Sequence, residues 1–225
     1  METIIVSVGG SLIIPQEIDV QWLSTFKKLI ERFLARGFKF IIISGGGKTA
    51  RNYQSAAREL GELKSDDLDW LGIHSTRLNA HLLRTIFKKY ANSRVIKDPT
   101  KNILFKEKIL IAAGWKPGCS TDYDAVLFAK NLGSKKLVNL SNIDYVYDKD
   151  PKKFKDAKPV KKISWKDFRK IVGNKWDPGL NAPFDPIASR EAEKLNLEVA
   201  IMNGKNLKNL ENYLENKKFV GTIVK

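Results

Sequence analysis

The residues best suited to chemistry lie in one run, Lys39 to Tyr53, with the sequence KFIIISGGGKTARNY. Phe40, Ile41, Ile42 and Ile43 read as a buried strand. Gly45, Gly46 and Gly47 follow, then a helix with Ala50, Arg51 and Tyr53 in its first turns. Such a junction leaves bare backbone N–H groups at the positive end of a helix dipole, and missing Cβ atoms let an anion come close. Phosphate suits that turn, and Lys48 and Arg51 add side-chain charge to it. The other reading is a strand–turn–helix junction that needs glycine only for its geometry.

Two familiar phosphate motifs do not fit. Gly47-Lys48-Thr49 resembles the end of a Walker A loop, but the first glycine of that pattern would fall at Ile42. The dinucleotide fingerprint fails because Ala50 occupies the place of its last small residue and no acidic residue on a following strand is evident. The run is a phosphate loop of another kind.

The elements that position it alternate between strands and helices. Thr3 to Val8 reads as a first strand ending at Gly9-Gly10-Ser11. Trp22, Phe26, Leu29, Ile30, Phe33 and Leu34 repeat at helical spacing until Gly37, and the strand Phe40 to Ser44 completes a β-α-β unit with parallel pairing. Ligands in such sheets bind beyond the carboxyl ends of the strands, so both glycine turns are expected to face one crevice.

Thr49 to Glu62 and Asp69 to Leu83 read as helices, the second burying Leu78, Leu82 and Leu83 and carrying His74 and His81 on its surface. Val95-Ile96 and Ile109 to Ala113 read as strands. The second leads into a third glycine-bearing loop, Gly114 to Asp122, and a helix from Thr121 to Lys130 capped by Ser120 or Thr121. Strand Lys136 to Leu140 feeds a loop, Ser141 to Pro151, rich in turn residues and carboxylates. After it come a short helix opened by Ser164, a loop from Trp176 to Pro186 and a helix from Ile187 to Leu195. Strand Val199 to Met202, helix Leu207 to Leu214 and strand Phe219 to Val224 close the chain.

Composition bounds the partners. The 225 residues make one large α/β domain or two lobes sharing a sheet. A net charge of +15, from 40 basic and 25 acidic residues, favours anionic partners. The lysines are spread along the chain, which argues for an anionic substrate and against a nucleic-acid arm. One cysteine, Cys119, excludes an intrachain disulfide or a cysteine-based zinc site, and two histidines exclude a histidine metal cluster. The opening METIIVSVGGSLIIP has no basic segment, and no apolar run approaches about 18 residues. A soluble cytoplasmic protein without a membrane partner is expected.

Taken together, the loops resemble the amino acid kinase family, and within it the uridylate kinases of archaeal type. The resemblance spans nearly the whole chain. It rests on VGGS at 8–11, GGGKTARNY at 45–53, LGIHSTRLNA at 71–80, KPGCSTD at 116–122, SNIDYVYDKDP at 141–151, FDPIA at 184–188 and GTIV at 221–224. It implies an α/β fold, a three-layer α/β/α sandwich with a mostly parallel central sheet. The domain would run from 1 to 225, with an acceptor lobe to about 130 and an ATP lobe from about 131.

The implied activity is transfer of the γ-phosphoryl group of ATP to UMP, giving UDP for pyrimidine biosynthesis, with Mg²⁺. By the same resemblance Lys48, Arg51 and Asp122 would act in the transfer. Gly46 would touch the UMP phosphate and Asp69 its ribose, and Lys116, Pro117, Gly118, Cys119, Ser120, Thr121 and Asp122 would wrap the acceptor. Gly9, Gly10, Ser11, Gly47 and Arg51 would serve the ATP phosphates, and Ser141, Asn142, Tyr147 and Asp150 its base and ribose. Asp122 would orient cationic groups. A homo-oligomer, a hexamer built from dimers, is also implied.

The sequence departs from the family pattern at three places. Ser7 stands where many members carry a first-strand lysine, whose part Lys48 or Lys116 would take. Tyr145 replaces a glycine in the ATP-side loop and would narrow that pocket. Tyr123-Asp124 replaces small residues, and Asp124 would add negative charge near the acceptor. The alternatives are a sister kinase acting on another small phosphate, carboxylate or phosphonate, or a non-catalytic nucleotide-binding protein.

Overall fold

The computed structural model describes residues 2–103, 106–175 and 182–225. Part of the expected loop from Trp176 to Pro186 therefore lies outside the described residues. The first half of the chain supplies strands β1 (Thr3–Val8), β2 (Lys39–Ser44) and β3 (Ile109–Ala112) and helices α1 (Gly10–Ile13), α2 (Val20–Ala35), α3 (Gly47–Leu60) and α4 (Ser65–Ile86). The second half supplies α5 (Thr121–Leu132), β4 (Lys136–Ser141), β5 (Val146–Tyr147), β6 (Pro159–Val160), β7 (Lys162–Ile163), α6 (Trp165–Val172), α7 (Pro186–Lys194), β8 (Glu198–Asn203), α8 (Leu207–Leu214) and β9 (Thr222–Val224).

Among the described residues seven strands form the main sheet in the order β3-β2-β1-β4-β8-β9-β7, and β5 and β6 make a separate ribbon. Within the main sheet pairing is parallel except between β8 and β9, and the β5–β6 ribbon is antiparallel. Both faces of the sheet are covered, which explains why its strands read as unbroken apolar runs. Ile4, Val6, Phe40 and Ile42 face a core shared with Phe26, Phe33, Leu83 and Leu210 from α2, α4 and α8. Ile5, Ile41, Ile43 and Leu137 face the opposite core, built with Phe128, Phe168 and Ala188 from α5, α6 and α7. This is the expected three-layer sandwich. Strand order reverses between β1 and β4, so the crevice beyond their carboxyl ends is where a ligand belongs.

Several expectations need correction. Leu78 is exposed, because the buried stripe of α4 runs through Ile73, Thr76, Ala80 and Leu83 and leaves position 78 on the outer face. Val95-Ile96 forms no strand; Ile96 makes only an isolated bridge to Ala112. There the Asn92 side chain takes the Ile111 N–H at 3.0 Å and replaces a ladder bond. The last strand starts at Thr222, since Phe219 turns onto the Tyr213 ring, 5.3 Å between centroids, and the Val220 N–H donates to Asn209.

Candidate active site

Three turns reach the β1–β4 crevice. The first, Gly9 to Ser11, follows β1 and is tied to the neighbouring strand by the Gly9 N–H, which donates to the Leu140 carbonyl at 2.8 Å. The second, Gly45 to Gly47, follows β2, and the Gly45 N–H donates to Val8 at 2.8 Å. These two turns touch through their backbones. A Cβ on Gly10 would overlap the Gly47 nitrogen and stand 2.6 Å from the Gly45 carbonyl carbon. Gly47 also sits at φ +66°, a conformation that disfavours any other residue. Its glycines are needed for contact as well as for turning.

The second turn is fixed from behind by α4. Asn79 Nδ2 donates to the Gly45 carbonyl at 2.8 Å and to the Gly46 carbonyl at 3.2 Å, and the Lys48 N–H donates to Ile14. With both carbonyls held, the N–H groups of Gly10, Ser11, Gly46, Gly47 and Thr49 find no acceptor among the described residues. The first turn of α3 carries no acidic side chain, and Lys48 and Arg51 lie within or beside it. Five free donors and two cations make this an anion cradle.

The third turn, Gly114 to Asp122, is fastened by side chains from α4 and α5. Thr76 Oγ1 accepts from Gly114 N at 2.8 Å, Arg77 donates to the Gly114 and Trp115 carbonyls, and Asp69 Oδ2 accepts from Gly118 N at 2.8 Å. Asp124 Oδ2 accepts from Trp115 N at 3.1 Å. Between this loop and the glycine turn lies a cavity of about 160 Å³, lined by Gly46, Asp69, Cys119, Ser120 and Thr121 together with Gln54, Thr76 and Gly114. The second and third turns thus open on one cleft, with the first turn packed against the second.

Beneath the cleft sits Asp122, in the first turn of α5, whose N-cap Ser120 accepts from Tyr123 N. Its Oδ1 accepts from Ser7 Oγ at 3.2 Å and Asn139 Nδ2 at 3.0 Å, and its Oδ2 from Asp185 N at 3.4 Å. Burial, then the Asp185 charge, push this carboxyl up to about 7. No cation is among its hydrogen-bond partners in the described residues. Burial and the Asp124 charge push the Cys119 thiol up to about 11, which leaves it a poor nucleophile.

A family model described as the amino acid kinase family matches residues 2–203. The chain belongs to the amino acid kinase family. A uridylate kinase of Thermoplasma volcanium is 34% identical across 99% of this chain and 97% of its own length. Another, from Methanospirillum hungatei, is 34% identical across 100% of this chain and 95% of its own. The crystal structure of uridylate kinase from Archaeoglobus fulgidus matches with a TM-score of 0.83 and 29% identity, covering 100% of both chains.

Within that family fold the expected site residues divide into groups. Gly46, Asp69, Cys119, Ser120 and Thr121 share the cavity, while Lys116, Pro117 and Gly118 lie on the same loop outside its lining. Lys116 is exposed, its Nζ 4.1 Å from the centre of the Trp115 ring. Gly9, Gly10, Ser11 and Gly47 form the adjoining cradle, and Ser141 closes β4 beside it. Tyr147 lies on the β5–β6 ribbon and exposed Asp150 in the turn after it, where Asp150 accepts from Lys152 N at 2.9 Å. No hydrogen bond joins Tyr147 or Asp150 to the glycine turns among the described residues. Tyr145 is half-buried just ahead of that ribbon.

One expectation is reversed. Asp124 adds no charge to the acceptor side: it is fully buried, turned to Trp115 N, and burial pushes it up to about 8, so it is largely protonated at neutral pH. The folded chain binds this proton more tightly than the unfolded chain. The resulting stabilisation is full below the ordinary carboxylate value of 3.8 and is lost as pH rises towards about 8. Asp124→Asn is expected to make stability fall less steeply across that window, by at most about 1.4 kcal/mol per pH unit. Urea unfolding from acid to mildly alkaline pH checks this, and parallel curves for the two proteins would refute it.

Proposed function

We propose that the chain is a uridylate kinase, transferring the γ-phosphoryl group of ATP to UMP to give UDP and ADP. The observation that carries this reading is the meeting of two glycine turns with free N–H groups, beside the β1–β4 switch point, with a third turn across the cavity from them. Similarity to uridylate kinases along the full length supports the choice of acceptor.

Phosphoryl transfer asks a protein mainly to align two anions and to neutralise charge on the migrating group. Gly46, at the junction of the cavity and the cradle, would meet the acceptor phosphate. Asp69 and the loop from Lys116 to Thr121 would hold the nucleoside. Gly9, Gly10, Ser11 and Gly47 would meet the ATP phosphates, with Ser141, Asn142, Tyr147 and Asp150 on the base and ribose. Arg51 and Lys48 would offset the repulsion between the two substrates. ATP would enter as its magnesium complex, and the ion would supply further neutralisation of the triphosphate. Among the described residues no group of three or more His, Cys, Asp or Glu side chains is placed to hold a metal, and none is assigned to it. Since the acceptor phosphate is already ionised, no general base is required of Asp122.

A coupled ADP-release assay over UMP, CMP and small phosphorylated or carboxylic acids tests the reading. Turnover is expected with UMP as the preferred acceptor. Turnover with another acceptor and none with UMP would overturn the acceptor assignment, and binding of UMP and ATP without any UDP would overturn catalysis itself.

A further inference from the structure

Two polar side chains interrupt the row of apolar residues that β1 and β4 turn towards α5 and α7. Along β1 that row runs Ile5 then Ser7; along β4 it runs Leu137 then Asn139, and the register pairs Ile5 with Leu137 and Ser7 with Asn139. Ser7 and Asn139 are therefore neighbours across the switch point, 4% and 6% exposed, at positions that an aliphatic side chain would fill. A buried hydroxyl and a buried amide each carry a desolvation cost unless bonded. Both donate to the same acceptor atom, Asp122 Oδ1, at 3.2 and 3.0 Å, while the Asp185 N–H at the head of α7 donates to Oδ2 at 3.4 Å. The carboxyl group is gripped along both edges by donors from three elements, β1, β4 and the head of α7.

We infer that Ser7 and Asn139 are positioning residues, which hold the Asp122 side chain in one orientation at the floor of the cleft and oppose its protonation there. The inference rests on the kinase reading only for its consequence in catalysis. The charged group facing Asp122 is Asp185 at the head of α7, which favours its protonation, while Asp124 on its own helix is itself largely protonated at neutral pH. From β1 and β4 the facing groups are the uncharged Ser7 and Asn139. Donors that bond the ionised form are thus what opposes proton uptake. Loss of either donor should raise the pH at which Asp122 takes up a proton.

The test follows the Asp122 carboxyl carbon by ¹³C NMR titration in the ligand-free protein, with the resonance assigned from Asp122→Asn. Asn139→Leu, close in shape and suited to an apolar row, is expected to raise the midpoint by about one pH unit, the effect of losing one bond to a charged group. Ser7→Ala should raise it by less, and Ser7→Thr, which keeps the hydroxyl, should restore the native value. Midpoints unchanged or lowered in both Asn139→Leu and Ser7→Ala would overturn the inference. With UMP as acceptor, the acid limb of kcat against pH should move upward with the midpoint. An equal loss of kcat at every pH, with the limb in place, would mark a merely structural role and would also overturn it. Failure of the native protein to use UMP would instead remove the proposed reaction, and the titration would still decide the positioning.

Discussion

Gly10→Ala is expected to lower stability by at least about 3 kcal/mol and to cut kcat/KM for UMP by more than about 100-fold. The added methyl group meets backbone on every side: the Gly47 nitrogen, and the Gly45 carbonyl carbon and oxygen at 2.6 and 2.7 Å. No side chain can rotate away to make room, so the two turns must separate. Neither is free to do so. Gly45 N is bonded to Val8, Gly9 N to Leu140, and the Gly45 and Gly46 carbonyls to Asn79. A shift of the turns displaces the N–H groups on which both phosphates would rest, and a displacement of about 1 Å is enough for a loss of this size. Gly61→Ala is the control. Gly61 has an extended backbone at φ 166°, and its Cβ would meet nothing within 4 Å. Urea unfolding and the ADP-release assay read both variants. Native stability and turnover in Gly10→Ala would show that the turns are not locked together.

What the sequence makes legible here depends on how local the physics is. The β1 and β2 runs announce themselves because both faces of each strand are covered, and the glycine turns because each follows a strand and precedes a helix. The shared crevice then follows from parallel pairing alone. Thr76, Arg77 and Asn79 were beyond such reasoning. They sit on α4 as ordinary polar residues of a helix, and their partners, Gly114, Trp115, Gly45 and Gly46, lie more than thirty positions away in the chain. The one available signal was their spacing: polar residues at 76 and 79 fall within the buried stripe of that helix, where an unbonded group is costly. Asp124 departs from the sequence pattern for a related reason. A carboxylate in the first turn of a helix is ordinarily solvated and favoured by the dipole, whereas this one faces inwards to Trp115 N. Ser7 stood out only as a missing lysine. Its bond to Asp122 spans 115 positions and depends on how α5 settles over the β1–β4 pair.

Arg51→Ala is expected to slow turnover of UMP by about 10- to 100-fold, with little change in stability. The size follows from losing one charge-assisted hydrogen bond to the migrating phosphoryl group, about 1.5–3 kcal/mol. Stability should hold because Arg51 is exposed on α3 and makes no hydrogen bond or ion pair among the described residues; surface substitutions of that kind usually stay within about 0.5 kcal/mol. A cation kept without a partner beside five free N–H groups, on a turn with no acidic residue, has its attraction available for a ligand. The loss should fall on kcat more than on either KM if the guanidinium meets charge that develops during transfer. Arg51→Lys should recover part of the rate, since a lysine retains the charge but not the planar pair of donors. Steady-state kinetics with ATP and UMP, alongside urea unfolding, separate these effects. An Arg51→Ala protein that keeps the native kcat would remove the α3 cradle from the transfer step and leave it a site for binding alone.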